Sequence, residues 1–194
     1  SVFEAGTDGL VINDLEDGHL VEVNPAMHQM HGYTYEEFMA LNPLTFIHPD
    51  SHPLFAKFIE TVKEGEQFQT RALDVHKEGT PFPVEVHGTS FEYKGKPHVL
   101  AVVRDITEQV QAEKQIQEKE AQYRSIFEAT TDALFIFDLE SGLLVEANPA
   151  ASRMHGYNHE EFLAISRPTD FIHADARFSF DLFLQTIKTG GLFQ

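Results

Sequence analysis

Residues 1–41 and 125–165 are two versions of one sequence, and this repeat constrains the fold more than any other feature. SVFEAGTDGLVINDLEDGHLVEVNPAMHQMHGYTYEEFMAL begins at Ser1, and SIFEATTDALFIFDLESGLLVEANPAASRMHGYNHEEFLAI begins at Ser125, with no gap between them. One extra residue, at Arg167, then shifts the register, after which NPLTFIHPD matches RPTDFIHAD. The match runs on from Phe55 and Phe180 to Gln69 and Gln194. A repeat this long exceeds any solenoid unit and has the size of a whole small domain. The chain therefore reads as tandem domains: a first over 1–107, a helical linker over 108–123 and a second over 124–194. Residues 70–105 have no counterpart in the second copy. That copy should be incomplete alone, with an exposed strand edge. It reads as a cloned or proteolytic fragment, or as a domain that another chain completes.

Within the first copy, Asp8 to Leu15 and His19 to Val23 flank the turn Glu16-Asp17-Gly18 and predict a hairpin. Asn24-Pro25 predicts a helix start, with Asn as N-cap and Pro at the first helical position. Met27 and Met30 share its inner face, and Gly32 ends it. Thr34-Tyr-Glu-Glu37 is a capping box opening a second short helix, which Pro43 breaks. A longer helix follows over about 51–64, with Phe55, Phe58, Ile59 and Val62 at helical spacing. Three strands complete the copy: Phe68 to His76, a half-buried strand alternating through Phe82, Val84 and Val86, and the apolar His98 to Asp105. Two strands, short helices and three strands make an α+β fold with helices on one face of an antiparallel sheet. The other sheet face would be left for partners. From Ile106 to Arg124 the sequence turns to Gln, Glu, Lys and Ala, which predicts a helix. Its stripe of Ile106, Val110, Ile116, Tyr123 and Phe127 suggests pairing with a second copy; a solvated spacer is the alternative.

The chain has no Cys and a formal net charge of −17. The first excludes disulfides, thiolate metal sites, cysteine nucleophiles and covalent flavin–cysteine chemistry, and fits a reducing, cytoplasmic setting. The second disfavours binding to nucleic acid or to anionic lipid. No apolar run reaches the roughly 18 residues of a membrane span. The start lacks a signal-peptide pattern and an initiator Met, which suggests a piece of a longer protein.

The order of these segments resembles the PAS (sensory-box) family. Asn24–Ala26, Gly32–Phe38, Phe46–Asp50, Lys77–Val86, Tyr93–Pro97 and Asp105–Glu108 carry the resemblance, and the second copy repeats the first three with Ala174 in place of Pro. The resemblance implies a five-stranded antiparallel sheet with helices over one face, enclosing a cavity that takes a ligand in some members. It also implies that Asp105, Ile106 and Thr107 relay a signal into a helical linker. The output domain would be a histidine kinase or a cyclic-dinucleotide enzyme elsewhere in the full-length chain.

Phe46, Phe55, Phe58 and Met30 are candidates to line a pocket, with Asn24, His31 and Arg71 as its polar groups. Alternatively, the same Phe side chains fill a closed core. His28/His31 and His48/His52 have helical spacing, but the second copy replaces His28 by Ser152 and His52 by Arg177, and neither pair supplies enough zinc ligands. His31/His155 and His48/His173 occur in both copies; the former suits the last turn of a helix, where the dipole favours a cation, and the latter reads as a local cap. Haem or flavin is compatible with the family but not indicated by these residues. No nucleophile elbow, phosphate loop or zinc-protease motif occurs, so the sequence reads as a signal-input module rather than an enzyme. The competing reading is a ligand-free scaffold that dimerises through the linker helix or the sheet.

Overall fold

The computed structural model describes residues 2–164 and 172–190, the side chains of Val2 and Asp181 aside. The insertion at Arg167, Phe171 of the second FIH segment and the final match at Phe193 and Gln194 lie outside the described residues. The chain divides into two units, Ser1–Gln115 and Ile116–Gln194.

In unit 1 a short helix α1 (Val2–Ala5) precedes a hairpin of β1 (Gly9–Asp14) and β2 (Leu20–Val23). Four helices follow: α2 (Pro25–Met30), α3 (Tyr35–Met39), α4 (Pro43–Phe46) and, after a 3-10 turn at Pro49–Ser51, α5 (His52–Lys63). Then come β3 (Phe68–Val75), β4 (Pro81–Tyr93) and β5 (Lys96–Asp105). The five strands form one antiparallel sheet in the order β2-β1-β5-β4-β3, so the last strand inserts beside the first. This is the α+β architecture expected from the element order.

Local chemistry sets these boundaries. Asn24 caps α2 and Pro25 stands at its first position. Gly32 follows α2 at φ +78, a conformation that favours glycine. Both halves of the Thr34/Glu37 capping box form. Pro43 does more than end the preceding helix: Asn42 caps a new turn with Pro43 inside it, so α4 exists where only a break was expected. Pro is tolerated there because a first-turn N–H has no helical partner to lose.

Strand alternation decides what faces the core. Val11 of β1, Val84 of β4, and Val99, Ala101 and Val103 of β5 are buried beneath the helices, together with Met27, Phe38, Phe46, Phe58 and Val62. Leu10, Ile12, Leu100 and Val102 point the other way and are half-buried. Phe58 packs directly on Gly88, where an added Cβ would overlap its ring.

Helix α6 (Thr107–Ala129) continues beyond the expected end near Arg124 because no Gly or Pro interrupts 107–129. In unit 2 the described elements are β6 (Phe135–Phe137), β7 (Leu144–Ala147), α7 (Pro149–His155), α8 (His159–Ala164) and, after a 3-10 turn, α9 (Arg177–Lys188). Strands β6 and β7 pair with each other, and Leu144, Ala147, Ala151 and Phe162 form a buried cluster among the described residues.

One buried asparagine pins each hairpin to its helix. Asn24 Oδ1 accepts from Leu10 N (2.8 Å) and Met27 N (3.0 Å), while Nδ2 donates to the Asp8 carbonyl (2.9 Å). Asn148 accepts from Leu134 and Ala151 and donates to Phe127 and Asp132 in the same way. Asn24→Ala leaves buried backbone groups without partners and removes a helix cap. It should lower the stability of unit 1 by on the order of 2–4 kcal/mol in urea unfolding. A loss under about 0.5 kcal/mol, the size of an ordinary surface change, would contradict that role.

Candidate functional site

A cavity of about 60 Å³ lies inside unit 1 between the sheet and the helices. That is room for roughly four to six water-sized positions. Phe46, Phe55 and Phe58 line it, as do Ala72 of β3 and Ala101 and Val103 of β5. Its polar members are Asn13, Ser51, Thr70 and Asp74.

The other four candidate residues lie outside this lining, each for a definite reason. Asn24 spends its amide on the backbone bonds described above. Met27 and Met30 both pack beside Gly9, and of the two Met27, three residues earlier, borders the cavity. Arg71 sits between Thr70 and Ala72, and successive strand residues point to opposite faces. It therefore meets α6, where its guanidinium pairs with Glu113 at 3.3 Å. Gln109 donates to the same carboxylate, and its bond and that of Arg71 hold Glu113 below the usual carboxylate range.

His31 is fully buried. Its ring is surrounded by Phe38, Phe46 and Phe82 at centroid distances of 5.4, 5.3 and 5.1 Å. Nδ1 lies 2.8 Å from the Met27 carbonyl oxygen, and Nε2 lies 3.0 Å from Asp74 Oδ2. Nδ1 thus reaches one of the last carbonyls of α2, as suits a histidine at a helix end, and a buried partner 43 residues away takes the other nitrogen. Asp74 went unrecognised in the sequence. The available signal was periodicity: Phe68, Thr70, Ala72 and Asp74 fall on one strand face, so a carboxyl was bound to enter the core. Ser51 was missed as well; its Oγ accepts from Leu73 N at 2.9 Å and it borders the cavity.

At the exit of the sheet, Asp105 Oδ1 accepts from Thr107 N at 2.8 Å, an Asx cap on α6. Ile106 is buried, and its N–H donates to the Pro83 carbonyl at 3.1 Å. Next to it, Arg104 makes two bonds to Asp8, at 3.1 and 2.7 Å, which keep the Asp8 carboxyl below its ordinary value. His48 Nδ1 accepts from Asp50 N, and His173 Nδ1 accepts from Asp175 N, so both act as local caps. Among the described residues, no three His, Asp or Glu side chains gather as metal ligands. Haem and flavin do not fit the cavity at this size, since ligand sites of cofactor dimensions run to roughly 300–1,000 Å³. No histidine among the described residues lines it.

Comparison with known proteins agrees with this architecture. A PAS domain profile matches residues 7–108 and a second PAS domain profile matches residues 121–188. A 62-residue stretch is 32% identical to sporulation kinase E of Bacillus subtilis (strain 168); it covers 32% of this chain and 8% of that protein. An RNA-binding light-oxygen-voltage receptor superposes with a TM-score of 0.51 at 20% identity, over 62% of this chain and 35% of that one. The PAS domain of a Colwellia psychrerythraea protein superposes with a TM-score of 0.50 at 19% identity, over 55% of this chain and 92% of that one. The chain belongs to the PAS domain family and carries two such domains in tandem.

Burial is the main reason the Asp74 carboxyl is held above its ordinary value of 3.8, against the opposing hydrogen bond and charge of His31. Just above pH 3.8 the folded chain thus keeps a proton that the unfolded chain has released. This contribution to stability is complete below that pH and declines as pH rises through the folded-state value. Asp74→Asn mimics the protonated acid and escapes the decline. In urea unfolding, wild type should lose stability relative to Asp74→Asn as pH climbs from about 4 to about 8. A difference that stays constant over this range would contradict the assignment.

Proposed function

We propose that the chain is the sensory input region of a larger cytoplasmic signalling protein, non-catalytic itself, in which the cavity of unit 1 takes a small ligand. The observation that carries this reading is the course of β5. Ala101 and Val103 face the cavity, and two residues later Asp105 caps α6. A change in cavity occupancy therefore acts on the strand that continues, with no loop between, into the linker helix. Asp105, Ile106 and Thr107 form the joint, and Ile106 is tied to β4 through Pro83. Such a relay needs two arrangements of the joint that bind the ligand unequally. The likeness to a sporulation kinase supports a kinase as the output, in the manner of a two-component sensor, although the chain spans only 8% of that protein. No described helix is long and apolar enough to cross a membrane, and the strongly acidic charge argues against nucleic acid as a partner.

A ligand-free dimerisation scaffold is the second reading, and the small size of the cavity favours it. Ile116, Tyr123 and Ile126 of α6 are 66%, 52% and 62% exposed, an apolar set for a helix to leave in water. The half-buried outer sheet face at Leu100 and Val102 offers a second self-contact.

Native mass spectrometry and an absorption spectrum of protein purified from its own host separate the two. A mass above that of the chain by one small molecule, with no visible chromophore, is the expected outcome. A clean apo mass with concentration-dependent dimerisation would overturn the sensory reading in favour of the scaffold.

A further inference from the structure

Asp74 borders the cavity, and its Oδ1 remains a hydrogen-bond acceptor in either protonation state of the His31–Asp74 pair. A carbonyl oxygen only accepts, so the 2.8 Å contact with Met27 requires a hydrogen on His31 Nδ1. The 3.0 Å contact between Nε2 and Asp74 Oδ2 then holds one further proton. With that proton on nitrogen, an imidazolium faces a carboxylate. With it on oxygen, a neutral imidazole faces a neutral acid. The pair is uncharged overall in both cases, and Oδ1, which takes no part in the contact, keeps its lone pairs. Asp74 is nevertheless part of the cavity wall.

The rest of the wall narrows the chemistry of a guest. Among the described residues no Lys, Arg or His lines the cavity, so a carboxylate or phosphate would enter without a counter-charge. Phe46, Phe55, Phe58 and Val103 supply an apolar surround. The volume suits a molecule of about five non-hydrogen atoms, on the measure of four to six water-sized positions.

We infer that this cavity takes a small uncharged molecule with an apolar body and one O–H or N–H group, which donates to Asp74 Oδ1. The inference rests on unit 1 being a ligand-binding input and names the class of ligand. Selectivity for the donor follows because an acceptor buried against a guest without a donor loses its bond to water and gains none.

Three probes of matched size test this in amide-resolved NMR titrations of the whole chain: 1-butanol, its isomer methyl propyl ether, which only accepts, and the butyrate anion. 1-Butanol should shift the Thr70, Ala72, Asp74 and Ala101 amides saturably and bind roughly tenfold more tightly than the ether, the worth of one hydrogen bond. Butyrate should not saturate. Asp74→Asn keeps an acceptor at the Oδ1 position and should keep the preference, whereas Asp74→Leu should lose it. Because the wild-type comparison needs no variant, poor folding of Asp74→Leu does not spoil the test. Equal binding of ether and alcohol, or saturable binding of butyrate, would overturn the donor class while leaving unit 1 a ligand site. No saturation by any probe would overturn both.

Discussion

A histidine and an aspartate share the apolar core of unit 1, and the surrounding structure is arranged so that neither is alone there. An isolated charge in such a place is costly, and breaking a buried pair by removing one partner typically costs about 3–5 kcal/mol. The pair joins the end of α2 to β3, 43 residues apart in the chain. The whole helical run between them must return the backbone to that point. Phe38, Phe46 and Phe82 close around the imidazole. The carboxyl side opens toward the cavity. Asp74 thus both anchors the core through His31 and borders the cavity.

The sheet gives this site a mechanical connection. On β3, Thr70, Ala72 and Asp74 face inward, while Arg71 reaches outward to Glu113 on α6. On β5, Ala101 and Val103 face inward, and the strand ends on the cap that starts α6. Two strands therefore touch the cavity with one set of residues and the linker helix with another. The Arg71–Glu113 pair is exposed and contributes little stability by itself. It is nonetheless a direct side-chain contact between β3 and the first turns of α6.

Much of this was legible because it is local. The hairpin turn, the Asn24-Pro25 helix start, the Thr34/Glu37 capping box and the His48 cap each need only residues a few positions apart. The repeat extended those readings to Asn148 and His173, which make the same contacts in unit 2. The polar half of the site was not legible in this way. His31 and Asp74 meet only once the sheet has closed, and the internal match, which runs to Gln69, does not reach Asp74. Arg71 was placed in the pocket by its residue type, against the strand alternation that sends it to the opposite face. Met30 was preferred to Met27 although both suit the helix face, because spacing alone does not tell which of two neighbours lies over the cavity.

A hydrogen on His31 Nδ1 follows from its contact with a carbonyl oxygen, and long-range ¹H–¹⁵N correlation of the imidazole observes it directly. A hydrogen fixed on Nδ1, with Nε2 sharing its proton with Asp74, is the expected pattern, and it should persist in Asp74→Asn as a neutral Nδ1–H ring. An Nδ1 without hydrogen in the wild-type chain would contradict the arrangement of the pair and, with it, the acceptor it offers to the cavity.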